Sequence, residues 1–176
     1  MNQRSMRIKY VAVSAMLCAL GVILLGVGAA VEVLDLSTAV LASLLCIYAV
    51  IEIRGIYPWL IWLGTSILAL LLLPLKTPAL FYALFAGFYP ILKEKLERLP
   101  RIPGYLLKLL VFHLSLGGIV LVLKFFLPEA LESYGMTWMP WVLYGLCLLC
   151  FVIYDIALTR LITLYLLRFR RYFRIR

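Results

Sequence analysis

An uncharged run from Tyr10 to Ala30 constrains this chain more than any other stretch of its sequence. The only hydroxyl groups in the run belong to Tyr10 and Ser14. As a helix, the run is long enough to cross a hydrocarbon core of about 30 Å, which takes about 20 apolar residues. We therefore predict that it forms a transmembrane helix.

Small residues in this helix fall into two stripes at helical spacing. One stripe contains Ala12, Ala15, Ala19 and Gly26, and the other contains Ser14, Cys18, Gly21 and Gly28. Membrane helices associate where small side chains allow two backbones to approach closely. The partner of this surface is either another helix of the same chain or a second protein, and the sequence leaves both possibilities open.

The composition indicates an integral membrane protein. Hydrophobic residues make up 66% of the chain and charged residues only 14%, with a mean hydropathy of +1.09. A soluble domain is about half apolar and a quarter charged, so this excess cannot be buried in one small soluble core. The apolar runs are about 20 residues long and lack a two-residue period, which favours helices over an outer-membrane barrel.

We predict one all-α domain with six transmembrane helices. The predicted spans cover residues 10–30, 38–53, 56–73, 79–92, 106–127 and 138–160. Pro90 is expected to kink the fourth span after Gly87. Beyond that span, charged residues extend the helix into water, with the pairs Lys93/Glu97 and Glu94/Arg98 at i,i+4 spacing.

The distribution of basic residues predicts the orientation of the chain. A cytoplasmic N-terminus leaves only Lys76 and Lys124 outside and puts the other lysines and arginines, including the basic tail 161–176, on the cytoplasmic side. Both termini are therefore expected to be cytoplasmic, in a bacterial inner membrane. The net charge of +9 then favours anionic lipid at the cytoplasmic face over nucleic acid. The aromatic and basic tail is typical of a membrane-surface helix, with a docking segment as the alternative.

Three ionisable residues are expected at or near membrane depth, where such groups are costly and often functional. They are Glu52, His113 and Asp155. As a cluster they could relay protons, or they could hold helix ends together with Arg160, Lys108 or Arg54 as partners. An intramembrane enzyme that uses Asp155 and His113 is a further hypothesis.

A second group of candidate residues lies on the predicted outer side and could line a ligand pocket. Its members are Glu32, Asp35, Lys76, Tyr82, Tyr134, Trp138 and Trp141. The alternative is an aromatic belt at the lipid headgroups, which tryptophan and tyrosine commonly form.

The sequence contains little that suggests enzyme chemistry. Cys147 and Cys150 form a C-x-x-C pair within an apolar run, where no cation is present to stabilise a thiolate, so packing is the favoured interpretation over redox activity. Zinc-ligand spacing, a phosphate-binding loop and a nucleophile paired with a base are all missing from the sequence. We predict no catalytic residue, no metal and no cofactor.

The first span and the overall layout suggest a family. The segment Ala15-Met-Leu-Cys-Ala19 matches an Ala-x-x-x-Ala motif, and the chain resembles the substrate-binding S component of energy-coupling factor (ECF) transporters. The resemblance implies six helices with cytoplasmic ends. It also implies that Ala15 and Ala19 dock on a transmembrane coupling subunit, which works with ATPases, and that a ligand binds near the outer face.

The nature of that ligand is constrained by which polar residues the chain carries. Asn2 is the only asparagine and Gln3 the only glutamine, so neither type occurs in the spans or the outer loops. Water-soluble vitamins need several hydrogen-bonding side chains in their pocket. We therefore expect a small and rather apolar ligand. The alternative function is that of a structural scaffold in a cell-envelope complex, as in the rod-shape-determining membrane protein of the MreD type.

Overall fold

A computed structural model describes residues 3–126 and 139–169 of the chain, and its regular structure in these ranges is entirely helical. The helices are α1 (Gln3–Ala30), α2 (Asp35–Glu52), α3 (Tyr57–Leu72), α4 (Thr77–Phe81), α5 (Tyr89–Leu96), α6 (Arg101–Phe126) and α7 (Met139–Leu164). A 3-10 turn, Glu32–Leu34, precedes α2, and π-helical turns follow α4 (Tyr82–Ala86) and α7 (Tyr165–Phe169).

Four of these helices are long and apolar enough to cross a membrane. The candidate spans are Met6–Ala30, Asp35–Glu52, Ile102–Val122 and Trp141–Leu167, and Tyr57–Leu72 is an apolar but shorter helix. The last span runs from α7 into the π-helical turn that follows it. These lengths are compatible with a multi-pass membrane protein. The prediction of an all-helical fold is thus confirmed within the described ranges, whereas six spans and cytoplasmic termini stay predictions.

The segment predicted as the fourth span is broken into two short helices. Between α4 and α5 the chain makes a π-helical turn, in which the Gly87 amide donates to the Tyr82 carbonyl at 2.8 Å. Pro90 lies in the first turn of α5, where a proline is tolerated because no helical amide is lost there. The irregular hydrogen bonding therefore starts before Pro90, at the π-helical turn, and Gly87 and Phe88 between the two helices keep right-handed helical backbone angles.

The chain divides into two compact units, with the boundary between Val111 and Phe112 inside α6. In the first unit, α1 packs against both α2 and α3. Many of the buried side chains on these three helices are small, among them Ala29, Ala39, Ala42, Cys46, Ala49 and Ala69. Small residues let membrane helices approach closely, which explains why an alanine-rich α2 occupies the interior of this unit.

The second unit contains the remainder of α6 together with α7. Within it, the rings of Phe112 and Phe151 stack with their centroids 4.7 Å apart. Next to this stack, Nε2 of His113 and the hydroxyl of Tyr144 share a hydrogen bond of 2.7 Å. These two contacts link α6 to α7.

Candidate functional site

One stripe of small residues on α1 is used inside the first unit. A Cβ added to Gly21 would lie only 2.9 Å from Cγ2 of Thr65 on α3, and one added to Gly64 would lie 3.1 Å from Sγ of Cys18. Gly28 is packed in the same way against the side chain of Thr38 on α2. The stripe of Ser14, Cys18, Gly21 and Gly28 therefore joins α1 to its own neighbours.

The other stripe on α1 faces outward. Ala12, Ala15 and Ala19 are exposed, and Gly26 is half-buried with nothing within 4 Å of an added Cβ. Large apolar side chains flank them, with Met16 73% and Ile23 62% exposed. The two stripes thus have separate roles, and Ala15 and Ala19, the predicted docking residues, lie on an uncovered face.

The first unit also contains a buried polar contact between α2 and the π-helical turn. Sγ of Cys46 and the hydroxyl of Tyr82 lie 3.1 Å apart, and both side chains are almost fully buried. The indole Nε1 of Trp62 donates to the carbonyl of Ala83 at 3.1 Å. Because an unpaired backbone carbonyl is costly in an apolar interior, this bond stabilises the break in the helix.

The residues predicted to line an outer pocket are found in different surroundings. Asp35 is half-buried in the first turn of α2, and Nζ of Lys76 donates to the carbonyl of Leu73. Tyr82 is only 1% exposed, whereas Trp141 is 76% exposed.

The rest of the predicted pocket is described in part or not at all. Glu32 lies in the 3-10 turn, and its side chain is not described. Tyr134 and Trp138 fall outside the described residues. The pocket therefore stays a prediction. One of its predicted members, Tyr82, has its hydroxyl in a buried contact with Cys46.

The three predicted intramembrane ionisable residues are also located. Glu52 is the last residue of α2 and is half-buried. His113 is exposed and bonds Tyr144, while Asp155 is half-buried on α7. At about 1.5 Å per residue, Asp155 lies about 16 Å further along α7 than Tyr144. A relay through His113 and Asp155 would have to bridge that distance, and it stays a prediction.

A cluster of charges lies at the junction of α5 and α6, and the sequence predicted its i,i+4 pairs but not the approach of Lys108. Glu97 lies 3.3 Å from Nζ of Lys93 and 3.7 Å from Nζ of Lys108. The predicted i,i+4 pairs are both present, since Arg98 also bonds Glu94 at 2.6 Å. The expectation that all these charges extend into water is wrong for Lys93, whose side chain is fully buried. The i,i+4 spacing was the only signal of this cluster available in the sequence.

Other candidate groups show no feature that would assign them a reaction. All four cysteines are free thiols, with Cys147 half-buried and Cys150 exposed. Among the described residues, no group of three or more histidine, cysteine or acidic side chains could hold a metal ion.

Comparison with protein-family models, with curated proteins and with solved structures gives no match. Over residues 3–126 and 139–169, the fold defines a class, namely an all-helical arrangement with four helices of membrane-spanning length. The distinctive feature of the first unit is helix α1, which has one packed stripe and one exposed stripe of small residues.

Proposed function

We propose that this protein is the membrane-embedded substrate-binding subunit of an ECF-type importer. It captures a small, rather apolar ligand from the outer side and docks on a transmembrane coupling subunit that works with ATPases. The proposal rests on the difference between the two stripes of small residues on α1. Ser14, Cys18, Gly21 and Gly28 pack within the chain, and the exposed Ala15 and Ala19 are left for a partner.

The way in which helices associate in a bilayer supports a docking role for the exposed face of α1 that contains Ala15 and Ala19. Two helices in a bilayer gain nothing by hiding apolar surface from water, so association depends on close van der Waals packing. Alanines at positions 15 and 19 are four residues apart and lie on one side of a helix. They form a flat strip against which a second helix can pack.

The scarcity of hydrogen-bonding side chains in the spans and outer loops supports an apolar ligand. The spans and outer loops contain no asparagine or glutamine, and the Tyr82 hydroxyl is held in an interior contact with Cys46. A ligand with many hydrogen-bonding groups would leave those groups unpaired in such surroundings, which is costly.

The docking proposal is tested by replacing Ala15 and Ala19 with leucine and measuring the recovery of the coupling subunit in a pull-down from mild detergent. We expect recovery to fall by about tenfold or more, a change that corresponds to about 1.4 kcal/mol, while the thermal unfolding of the isolated chain is unchanged. Ala157→Leu is the matched control, because Ala157 is an exposed alanine on α7.

Equal recovery from the double variant and the wild type would rule out docking through this face. A loss of recovery in Ala157→Leu as well would show that any added bulk on the surface disturbs assembly. That result would also remove the special role of Ala15 and Ala19.

A second candidate function is that of a structural scaffold in a cell-envelope complex, as in proteins of the MreD type. The observation that favours it is Tyr82, a predicted pocket residue that is buried and bonded to Cys46 instead of facing a ligand. A scaffold predicts that the purified protein carries no ligand and that deletion alters cell shape or division. Uptake lost on deletion with normal cell shape would exclude this alternative.

A further inference from the structure

In the π-helical turn between α4 and α5, a tryptophan side chain takes the place of a backbone amide. In an α-helix, the amide of Gly87 would donate to the carbonyl of Ala83, four residues earlier. In the structure it donates to the carbonyl of Tyr82, five residues earlier, at 2.8 Å. The Ala83 carbonyl accepts from Nε1 of Trp62 instead, at 3.1 Å. Trp62 therefore occupies the acceptor that an α-helical turn would offer to Gly87.

Two aromatic rings and a buried thiol surround the same turn. A Cβ added to Gly87 would lie 2.5 Å from Cδ1 of Trp62 and 2.8 Å from Cζ of Tyr82. The hydroxyl of Tyr82 in turn contacts Sγ of Cys46 at 3.1 Å. All of these residues belong to the first compact unit. The indole bond, the packing on Gly87 and the contact with Cys46 are therefore made by one local arrangement.

The alternative arrangement is an α-helical winding of the same residues. In that winding the Gly87 amide keeps a partner, namely the Ala83 carbonyl. The π-helical winding adds the side-chain contacts of Trp62 and Tyr82. It also leaves the hydroxyl of Thr65, which lies near that of Tyr82, without a hydrogen-bond partner in the described part of the chain. Thr65 is fully buried, and an unpaired buried hydroxyl is costly. This cost offsets part of what the π-helical winding gains, so the two windings are close in energy.

We propose that this turn is a two-state hinge that opens the interior of the first unit. In the second state the Gly87 amide bonds the Ala83 carbonyl, and the indole of Trp62 is released. One helical turn before Gly87 the chain then has Ala83 instead of Tyr82, so that Ala83 lies opposite Cys46. A methyl group replaces a phenol ring at that place, and Sγ of Cys46 is uncovered. The hinge lies within one compact unit and does not depend on the proposed importer function.

The test is the rate at which methyl methanethiosulfonate modifies Cys46 in the full-length protein in liposomes, with the other three cysteines replaced by serine. Cys46 is 0% exposed in the structure, so its modification reports the second state. We expect slow modification in the chain with Trp62. Modification should be about fivefold faster in Trp62→Phe, because a phenyl ring cannot donate to the Ala83 carbonyl. A fivefold change corresponds to about 1 kcal/mol, the usual contribution of one hydrogen bond.

Trp59→Phe is the matched control, because it makes the same replacement on the same helix while Trp62 still bonds the Ala83 carbonyl. It should leave the rate unchanged. A chain that lacks Leu84 separates winding from general loosening. Without that residue, Tyr82 stands four positions before Gly87, so an α-helical turn keeps the tyrosine opposite Cys46.

In the chain that lacks Leu84, Trp62→Phe should no longer accelerate the modification of Cys46. An equal acceleration there would overturn the proposal, since the effect would then come from lost ring packing. Equal rates for Trp59→Phe and Trp62→Phe would overturn it too, as would a Cys46 that is never modified in Trp62→Phe.

Discussion

At the scale of single residues, Glu97 is the most informative side chain. It contacts two lysines, of which Lys93 is fully buried and Lys108 is 11% exposed, and so it connects the end of α5 to the start of α6. Nearby, Glu94 pairs with an arginine that is 74% exposed. The two glutamates are similarly exposed, at 40% and 42%, but their partners are in opposite surroundings.

We predict that Glu97→Gln destabilises the protein by about 1 kcal/mol or more, because a charge-assisted contact to buried ammonium groups is lost. Glu94→Gln should cost less than about 0.5 kcal/mol, which is typical of an exposed i,i+4 pair. Denaturation of both variants in the same detergent measures the difference. Equal stability losses would mean that the burial of Lys93 does not determine the strength of the contact.

The sequence predicted the pairing of Glu97 with Lys93 but not its surroundings. The i,i+4 spacing is a local property of a helix, so it can be read directly. The burial of Lys93 and the approach of Lys108 depend on how α5 and α6 pack, which no local pattern encodes. The bond between His113 and Tyr144 was missed for the same reason, because its partners are far apart in the chain.

At the scale of elements, α1 shows how one helix can serve two purposes. The sequence revealed both stripes of small residues but not which one packs inside, since alanine, glycine and serine permit close approach equally well. In the structure, the stripe with Gly21 packs against Thr65, whereas the stripe with Gly26 has open space beside it.

This distinction predicts opposite outcomes for two glycine substitutions in α1. Gly21→Ala should destabilise the protein by about 1–3 kcal/mol, because the new Cβ would lie 2.9 Å from Thr65 and the packing must shift. Gly26→Ala should change stability by less than about 0.5 kcal/mol. Thermal unfolding in detergent distinguishes them, and a Gly26→Ala variant as unstable as Gly21→Ala would show that the outward face is also packed.

The broken segment between α4 and α5 depends on a contact from another helix. The sequence predicted a bend here from Pro90, but the π-helical turn begins at Tyr82. Its Ala83 carbonyl is paired with the indole of Trp62. A tertiary hydrogen bond of this kind is invisible in the local sequence, which explains why the sequence predicted a kink at Pro90 but not the π-helical turn before it.

We predict that Trp62→Phe increases hydrogen exchange of the backbone amides in residues 82–88, because the phenyl ring cannot donate to Ala83. The matched variant is Trp59→Phe, on the same helix. Nζ of Lys95 lies 5.8 Å from the centre of the Trp59 ring, which also packs edge-on against Trp62, a contact that a phenyl ring can keep. Mass-spectrometric exchange in detergent should show faster exchange in the first variant only. Unchanged exchange in Trp62→Phe would mean that the turn is stable without the indole.

At the scale of the whole molecule, the distribution of lysine and arginine predicts that both termini are cytoplasmic. Fluorescent reporters fused to each end in turn should therefore fluoresce, and periplasmic phosphatase reporters at the same ends should be inactive. A phosphatase active at one end only would require an odd number of spans. That outcome would exclude the six-span arrangement on which the proposed importer function depends.

In the proposed function, this protein binds both a ligand and a coupling subunit. Native mass spectrometry of the chain purified in mild detergent measures both at once. We predict a complex that contains the chain, a larger membrane subunit and ATPases, with a small apolar molecule released on activation. The chain found only as one or two copies, without ligand or any other subunit, would contradict it.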